Sequence, residues 1–187
     1  MAPDTSTRTT PAAGTWEVDP AHTTAEFVAR HILTPVRGRF NEVSGSIEVA
    51  EDPTESTVEA KISTASVFTN DAKRDGHLRS PDFFDVEQYP TITFKSTKIT
   101  DEGEGRYKLF GDLTIRGVTN EVALDAEFLG VDGTPFGTEV AAFSASTEVE
   151  REDWGLTWNL ALESGGWLVS KRVKLEIQAE LVHKQEG

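Results

Sequence analysis

From Trp16 onward the chain alternates apolar and polar residues with a period of two. In "TVEAKIS", Val58, Ala60 and Ile62 share one face while Thr57, Glu59 and Lys61 take the other. "KLFGDLTIRG" sets Leu109, Leu113 and Ile115 on one face, and "EVALDAEFLG" does the same with Val122, Leu124, Ala126 and Phe128. "RVKLEIQAEL" repeats it with Val173, Leu175, Ile177, Ala179 and Leu181. Successive side chains of a strand point to opposite faces, so this alternation marks half-buried antiparallel strands. Turn-forming clusters separate the runs: "DEGEG" at 101–105, "RGVTN" at 116–120 and "VDGTP" at 131–135. The pattern predicts about eight or nine strands, near 15–19, 22–33, 36–50, 54–66, 91–100, 105–116, 118–130, 136–150 and 171–183. Long consecutive strands joined by short turns form a meander. Such a meander either closes into a barrel, which removes exposed edges, or packs as a two-sheet sandwich.

Two segments break the alternation. The first, "NDAKRDGHLRSPDFFDVEQYP", predicts a short helical connector near 70–84. Asn70 or Asp71 caps a helix running to about Arg79, with Asp75 and Arg79 in the favourable acid-before-base spacing. Ser80 precedes a proline, which stops the helix. Ser80-Pro81 then opens a second turn carrying Phe83 and Phe84. On this reading Asp71, Lys73, Arg74, Asp75 and Arg79 form a solvated face, and Leu78, Phe83 and Phe84 a buried one. The second break, near 152–169, is an irregular or helical loop that starts from Asp153, holds three of the four tryptophans and ends at Gly165-Gly166. Residues 1–14 are rich in Thr, Pro and Ala and predict a disordered tail, leaving a single domain over 15–187.

Composition narrows the function classes. The 187-residue chain carries a net charge of −14 with a pI near 4.7, which disfavours phosphate backbones and anionic lipid surfaces as partners. Nucleic acid binding and membrane insertion are therefore not expected. No cysteine is present, so disulfides, thiol catalysis and thiolate metal sites are excluded. The N-terminal residues lack a signal-peptide core and no segment has the length of a membrane span, from which a cytoplasmic protein is expected.

Catalytic signals are weak. The four histidines, His22, His31, His77 and His183, show no H-x-H or H-E-x-x-H spacing, and no metal is expected. Ser80, His77 and Asp82 have the residue types of a triad, but they are too close in sequence to converge, and no G-x-S-x-G elbow occurs. His31 alternates with Phe27 and Ala29 and is expected as a hydrogen-bonded wall residue.

The connector and its surroundings resemble the YceI-like family of lipocalin-like proteins. The family pattern R-D-x-H-L-R-S-x-D-F-x, followed by Y-P and a strand ending F-x-S, is matched by Arg74, Asp75, His77, Leu78, Arg79, Ser80, Asp82, Phe83, Tyr89, Pro90, Phe94 and Ser96. "GTWEVDPAHTTAEFVARH" resembles the family's opening strands, and "GDLTIRGVTNEVALD" its G-D-L-T-x-x-G-V-T segment. The resemblance covers about residues 14–183. It implies an all-β fold, an eight-stranded antiparallel up-and-down barrel, that binds a polyisoprenoid or another long-chain lipid and has no established catalysis. Unlike periplasmic members, this sequence shows no leader, and its "REDWGLTWNLALESGGWLVS" segment is similar to that of leaderless members. A homodimer is an option by analogy.

The residues themselves allow such a ligand. A barrel of about eight strands is either filled by its side chains or holds one slender molecule. The expected inward set mixes large side chains with rows of alanine. The wall and mouth are expected from Phe27, Ala29, His31, Phe40, Val58, Ala60, Ile62, Leu78, Phe83, Phe84, Phe94, Leu113, Ile115, Leu124, Phe128, Phe143, Trp158, Trp167 and Ile177. His77 and Arg79 are the head-group candidates, arginine suiting a phosphate or carbonyl. The expected function is lipid binding for transport, storage or sequestration, without a further cofactor. The alternatives are an enzyme acting on such a lipid and a stress-related protein with a filled core.

Overall fold

A computed structural model describes residues 10–185. The strands are β1 Gly14–Val18, β2 Thr24–His31, β3 Thr34–Phe40, β4 Val43–Val49, β5 Thr57–Ser63, β6 Val67–Phe68, β7 Thr91–Gly103, β8 Arg106–Ile115, β9 Val118–Gly133, β10 Glu139–Glu150 and β11 Arg172–His183, with one helix, α1, at Ala72–Arg79. All pairings are antiparallel.

The strands form a closed barrel of eight staves, not a sandwich. β1 and β2 lie end to end along β11, pairing Trp16 with His183 and Val28 with Lys174. β3 and β4 run back along β2 and β1 in the same manner, and β5 and β6 along β4 and β3. The first three staves are thus each broken once, and β7 to β11 supply the other five. Pairing of β1 with β11 closes the ring.

The continuous strand expected over 36–50 is in fact broken at Asn41-Glu42. Phe40 and Val43 are both buried although three residues apart, so the period slips there. Asn41 N donates to the Ser66 carbonyl, and Ser63 N to that of Glu42, so the break in this stave is tied to the 3-10 turn Thr64–Ser66 in the next. The turn signal at 131–135 also lies early. β9 runs on to Gly133, and the reversal is built on Thr134 and Gly137.

The meander sorts the connections by end. The 32–33 hairpin tip, the 69–90 connector with α1, the 116–117 turn and the 151–171 loop all fall at one end, here the upper end. The chain start, the 50–56 and 104–105 connections, the 134–138 turn and the end of β11 fall at the lower end. The lower end is stoppered by buried Trp16, Val49, Phe128, Ala141 and Leu181. Trp16 is stacked on His183 at 4.4 Å and donates its indole N–H to the Ala12 carbonyl. Ala12, expected in the tail, therefore packs against the stopper; residues 1–9 of that expectation lie outside the described residues.

Candidate functional site

The barrel encloses a cavity of about 860 Å³ whose wall is almost wholly apolar. It extends from Pro11, Val18 and Pro53 at the lower end to His31, Asp71, Lys73 and Leu168 at the upper. The alternating faces read from sequence supply the wall. Val173, Leu175, Ile177, Ala179 and Leu181 of β11 all line it, as do Leu109, Leu113 and Ile115 of β8.

Two large rings leave the lumen open because they lie against glycine. Phe27 stands opposite Gly38 across the β2–β3 ladder, and a Cβ on Gly38 would collide with the tip of the Phe27 ring. The Phe94 ring on β7 likewise occupies the space that a Cβ on Gly111 would need. Each ring is accommodated over a neighbouring strand that carries no side chain at that point. Small side chains at Ala29, Ala60, Ala126 and Ala145 widen the wall further.

Of the expected lining residues, all but Phe128 and Trp167 border the cavity, and so does His77. Phe128 instead packs below, against Phe143 at 5.3 Å, as part of the stopper. Trp167 lies outside on the upper rim, 53% exposed. Arg79 is not on the cavity. Its Nε donates to the Ala65 carbonyl at 2.9 Å and its Nη2 to that of Val67 at 3.0 Å, which ties α1 to the 65–67 backbone.

The connector covers the upper end. Asp71 caps α1 as expected, accepting the Arg74 backbone N–H at 3.0 Å, a bond that holds its carboxyl below the ordinary value. Lys73 is exposed as expected, but Asp75, Arg74 and Arg79 are not a solvated face. Asp75 is buried and accepts from both the backbone N–H and the hydroxyl of Thr69, at 2.8 and 2.6 Å. Arg74 donates to the Thr69 hydroxyl and carbonyl. The Asp75–Arg79 ion pair expected from spacing does not form, because both side chains fasten the helix to 65–69 instead. Ser80-Pro81 opens a hydrogen-bonded turn, with no second helix, and it places Phe83 against the core. The Ser80 hydroxyl donates to the His77 carbonyl and does not reach the imidazole.

The second irregular segment meets the first over the lumen. His77 stacks edge-on against Trp158 at 4.5 Å and against Phe83 at 5.1 Å, while its Nε2 contacts Asp82 at 2.8 Å. The loop is held by Arg151, which sequence reading missed. Its guanidinium is buried and donates to the carbonyls of Ser170, Leu156, Trp158 and Val169. Burial pushes it down from its ordinary value, and the nearby Glu152 charge opposes this. An arginine within the acidic string "EVEREDW" reads from sequence as an ion-pair partner, and nothing local betrays its role. The buried Trp154 indole N–H donates to the Leu113 carbonyl, fixing the loop to β8.

The upper mouth brings Arg30, His31, Lys73 and His77 to the cavity margin. His31 is exposed there, at the end of β2, so its expected role as a hydrogen-bonded wall residue is not what the structure shows. Outside the cavity, Asp19, His22 and Glu180 bring their ligand atoms within 4.8 Å of one another. Asp19 already caps the 3-10 turn Pro20–His22 and holds the His22 imidazole at 2.8 Å. Among the described residues no helix is long and apolar enough to cross a membrane.

Comparison with known proteins agrees with the geometry. The YceI-like domain family matches residues 16–181. A UPF0312 protein of Staphylococcus aureus is 36% identical over 165 residues, 87% of this chain and 94% of its own. One from Vibrio cholerae is 39% identical over 140 residues, 73% of each chain. Among solved structures, the Campylobacter jejuni YceI protein superposes with a TM-score of 0.72 at 31% identity, over 82% of this chain and 88% of its own. A polyisoprenoid-binding domain from Saccharophagus degradans, implicated in plant cell wall breakdown, shares the fold with a TM-score of 0.69 at 15% identity, over 92% and 100%.

Proposed function

Since this chain belongs to the YceI-like family, we propose that its barrel binds one long apolar lipid, best a polyisoprenoid chain, for transport, storage or sequestration. The continuous apolar cavity carries this reading. A methylene group occupies roughly the room of a water molecule, about 30 Å³, so 860 Å³ accommodates a chain on the order of 20–30 carbons. The polyisoprenoid-binding neighbour of the same fold supports the ligand class.

Energetics favour a slender hydrocarbon. Each buried methylene contributes about 0.8 kcal/mol, giving a gross driving force of roughly 15–25 kcal/mol for such a chain. Immobilisation and ordering reduce this to about 8–12 kcal/mol, or micromolar to nanomolar binding. The tail gives little chemical selectivity. Selectivity falls to the mouth, where Arg30, Lys73 and His77 border the cavity and suit an anionic or carbonyl head group. The Thr69 hydroxyl on the wall donates to Asp75 and accepts from Arg74, a set of bonds that fastens α1, so we read the protein as a binder and not an enzyme acting on the lipid. The open lumen also argues against a filled-core protein.

Ala145 provides the test. It lines the wall near the middle of β10, and a Trp there would plug the lumen without touching either end. Titration with polyprenols of stepped length should give tightest binding on the order of 20–30 carbons for the parent. Ala145→Trp should weaken the longest chains at least about tenfold, a change of about 1.4 kcal/mol. Equal affinity of parent and variant for every chain would remove the lumen as the binding site.

A further inference from the structure

We propose that the upper rim, the Ile32-Leu33 hairpin tip together with the 160–168 loop, docks onto the surface of an anionic lipid bilayer; this rests on the lipid-binding reading above. β2 and β3 are joined through only two residues, between the paired His31 and Thr34. Such loops favour Asn-Gly or similar pairs, which tolerate positive φ and stay polar. Here the positions hold isoleucine and leucine. Ile32 has φ 56°, a conformation that a β-branched residue rarely takes, and Leu33 is 87% exposed. A strained turn that also displays two large apolar side chains to water is costly twice over, which points to a use outside folding.

The second half of the rim is physically joined to the first. Ile32 N donates to the Leu168 carbonyl and Ser170 N to that of Arg30. Leu168 N bonds the Leu160 carbonyl, so Leu160 and the exposed Trp167 sit on a small hairpin beside Ile32 and Leu33. This apolar rim borders the cavity mouth, since Leu168 belongs to both and the bridged pair His31 and Val169, next to the rim, lines the cavity. A tail leaving a bilayer there would enter the lumen without crossing water. Tryptophan favours the interface between head groups and hydrocarbon.

Charge around the rim differs from charge over the whole chain. Over 27–41 and 160–175 the one acidic residue is Glu163, on the rim loop itself, in a chain with 32 Asp and Glu. The same stretches hold Arg30, Arg37, Arg39, Lys171, Arg172 and Lys174. Glu148, Glu150, Glu152 and Glu176 pair with four of these. Arg30, at the mouth, makes no ion pair among the described residues. The 12-residue β10 spans about 40 Å, several times the ~8 Å screening length at physiological salt. Acidic groups at the lower end therefore do little to repel a surface at the rim. Asp71, Asp82 and Glu163 lie at the same end, so the rim is mixed in charge, and Arg30 and Lys73 at its mouth are the cations that meet an anionic surface.

Co-flotation with vesicles tests the proposal, using phosphatidylcholine alone and phosphatidylcholine containing phosphatidylglycerol. The parent should float with the mixed vesicles, less with phosphatidylcholine, and less as salt rises. Leu33→Ser with Trp167→Ser should lower partitioning at least about tenfold. Phe136→Ser, at the opposite end and 91% exposed in the parent, should leave it unchanged. Polyprenol delivered from cyclodextrin separates the two readings. If the parent loads polyprenol but never floats, docking is refuted and the cavity reading stands. If it takes up no polyprenol, the cavity reading fails, whatever the flotation. Docking is also refuted if the rim variant floats like the parent, if phosphatidylglycerol has no effect, or if sedimentation shows the rim variant splitting a dimer into monomers.

Discussion

Single residues decide whether the lumen is open. Phe27 and Phe94 have room because Gly38 and Gly111 leave a flat place for their rings. Gly38→Ala should force the Phe27 ring toward the lumen, lower stability by about 1–3 kcal/mol and reduce ligand uptake; denaturant midpoints with binding on the same samples check both. At the barrel's outer surface, the Asp19–His22 contact makes stability pH-dependent. The hydrogen bond that His22 donates to the Asp19 carboxylate raises the His22 pKa, so its contribution is full below the unfolded value near 6.5 and fades as pH rises through the raised value. The same bond lowers the Asp19 pKa, so that contribution holds above about 3.8 and is lost as pH falls through the depressed value. His22→Gln should therefore lower stability at pH 5.5 more than at pH 8.5, and unfolding midpoints at the two pH values should show the difference shrinking as pH rises. Period-two reading could name the inward phenylalanines, but ring direction depends on a residue across the ladder, and alternation does not encode that.

At the scale of elements, the two irregular segments are structural covers held by buried charge. Arg151→Met would leave the carbonyls of Ser170, Leu156 and Trp158 without their charged donor, a loss on the order of 3 kcal/mol. Amide exchange should then rise first across 151–171, before the strands. Arg79→Ala should act on stability through the Ala65 and Val67 carbonyls, and weaken a polyprenyl phosphate and its alcohol equally. A selective loss for the phosphate would restore Arg79 to the head-group site. The helix start at Asp71 and its stop before Pro81 were legible, since caps and proline act locally. The partners of Asp75, Arg79 and Arg151 were not, because a charged side chain bonded to backbone groups outside its own turn looks in sequence like one facing water. The break at Asn41-Glu42 was visible only as a slip in the Phe40–Val43 spacing, which reads equally as a lapse in alternation.

For the whole molecule, the alternation alone left barrel and sandwich open and the family resemblance chose the barrel; the pairing of β1 with β11 that closes the ring joins the two ends of the chain, a contact that no local pattern records. Closure creates one lumen, and the meander then places both irregular segments at one end of it, so mouth and stopper lie at opposite ends. The inward set from β5, β8, β9 and β11 was legible nearly residue by residue. The central claim is that this lumen holds a lipid chain, and the most direct measurement is mass spectrometry of apolar material extracted from protein purified without detergent. One isoprenoid-type chain per protein, on the order of 20–30 carbons long, is the expected result. Protein that carries no lipid and, once stripped, takes up no chain of any length would contradict it.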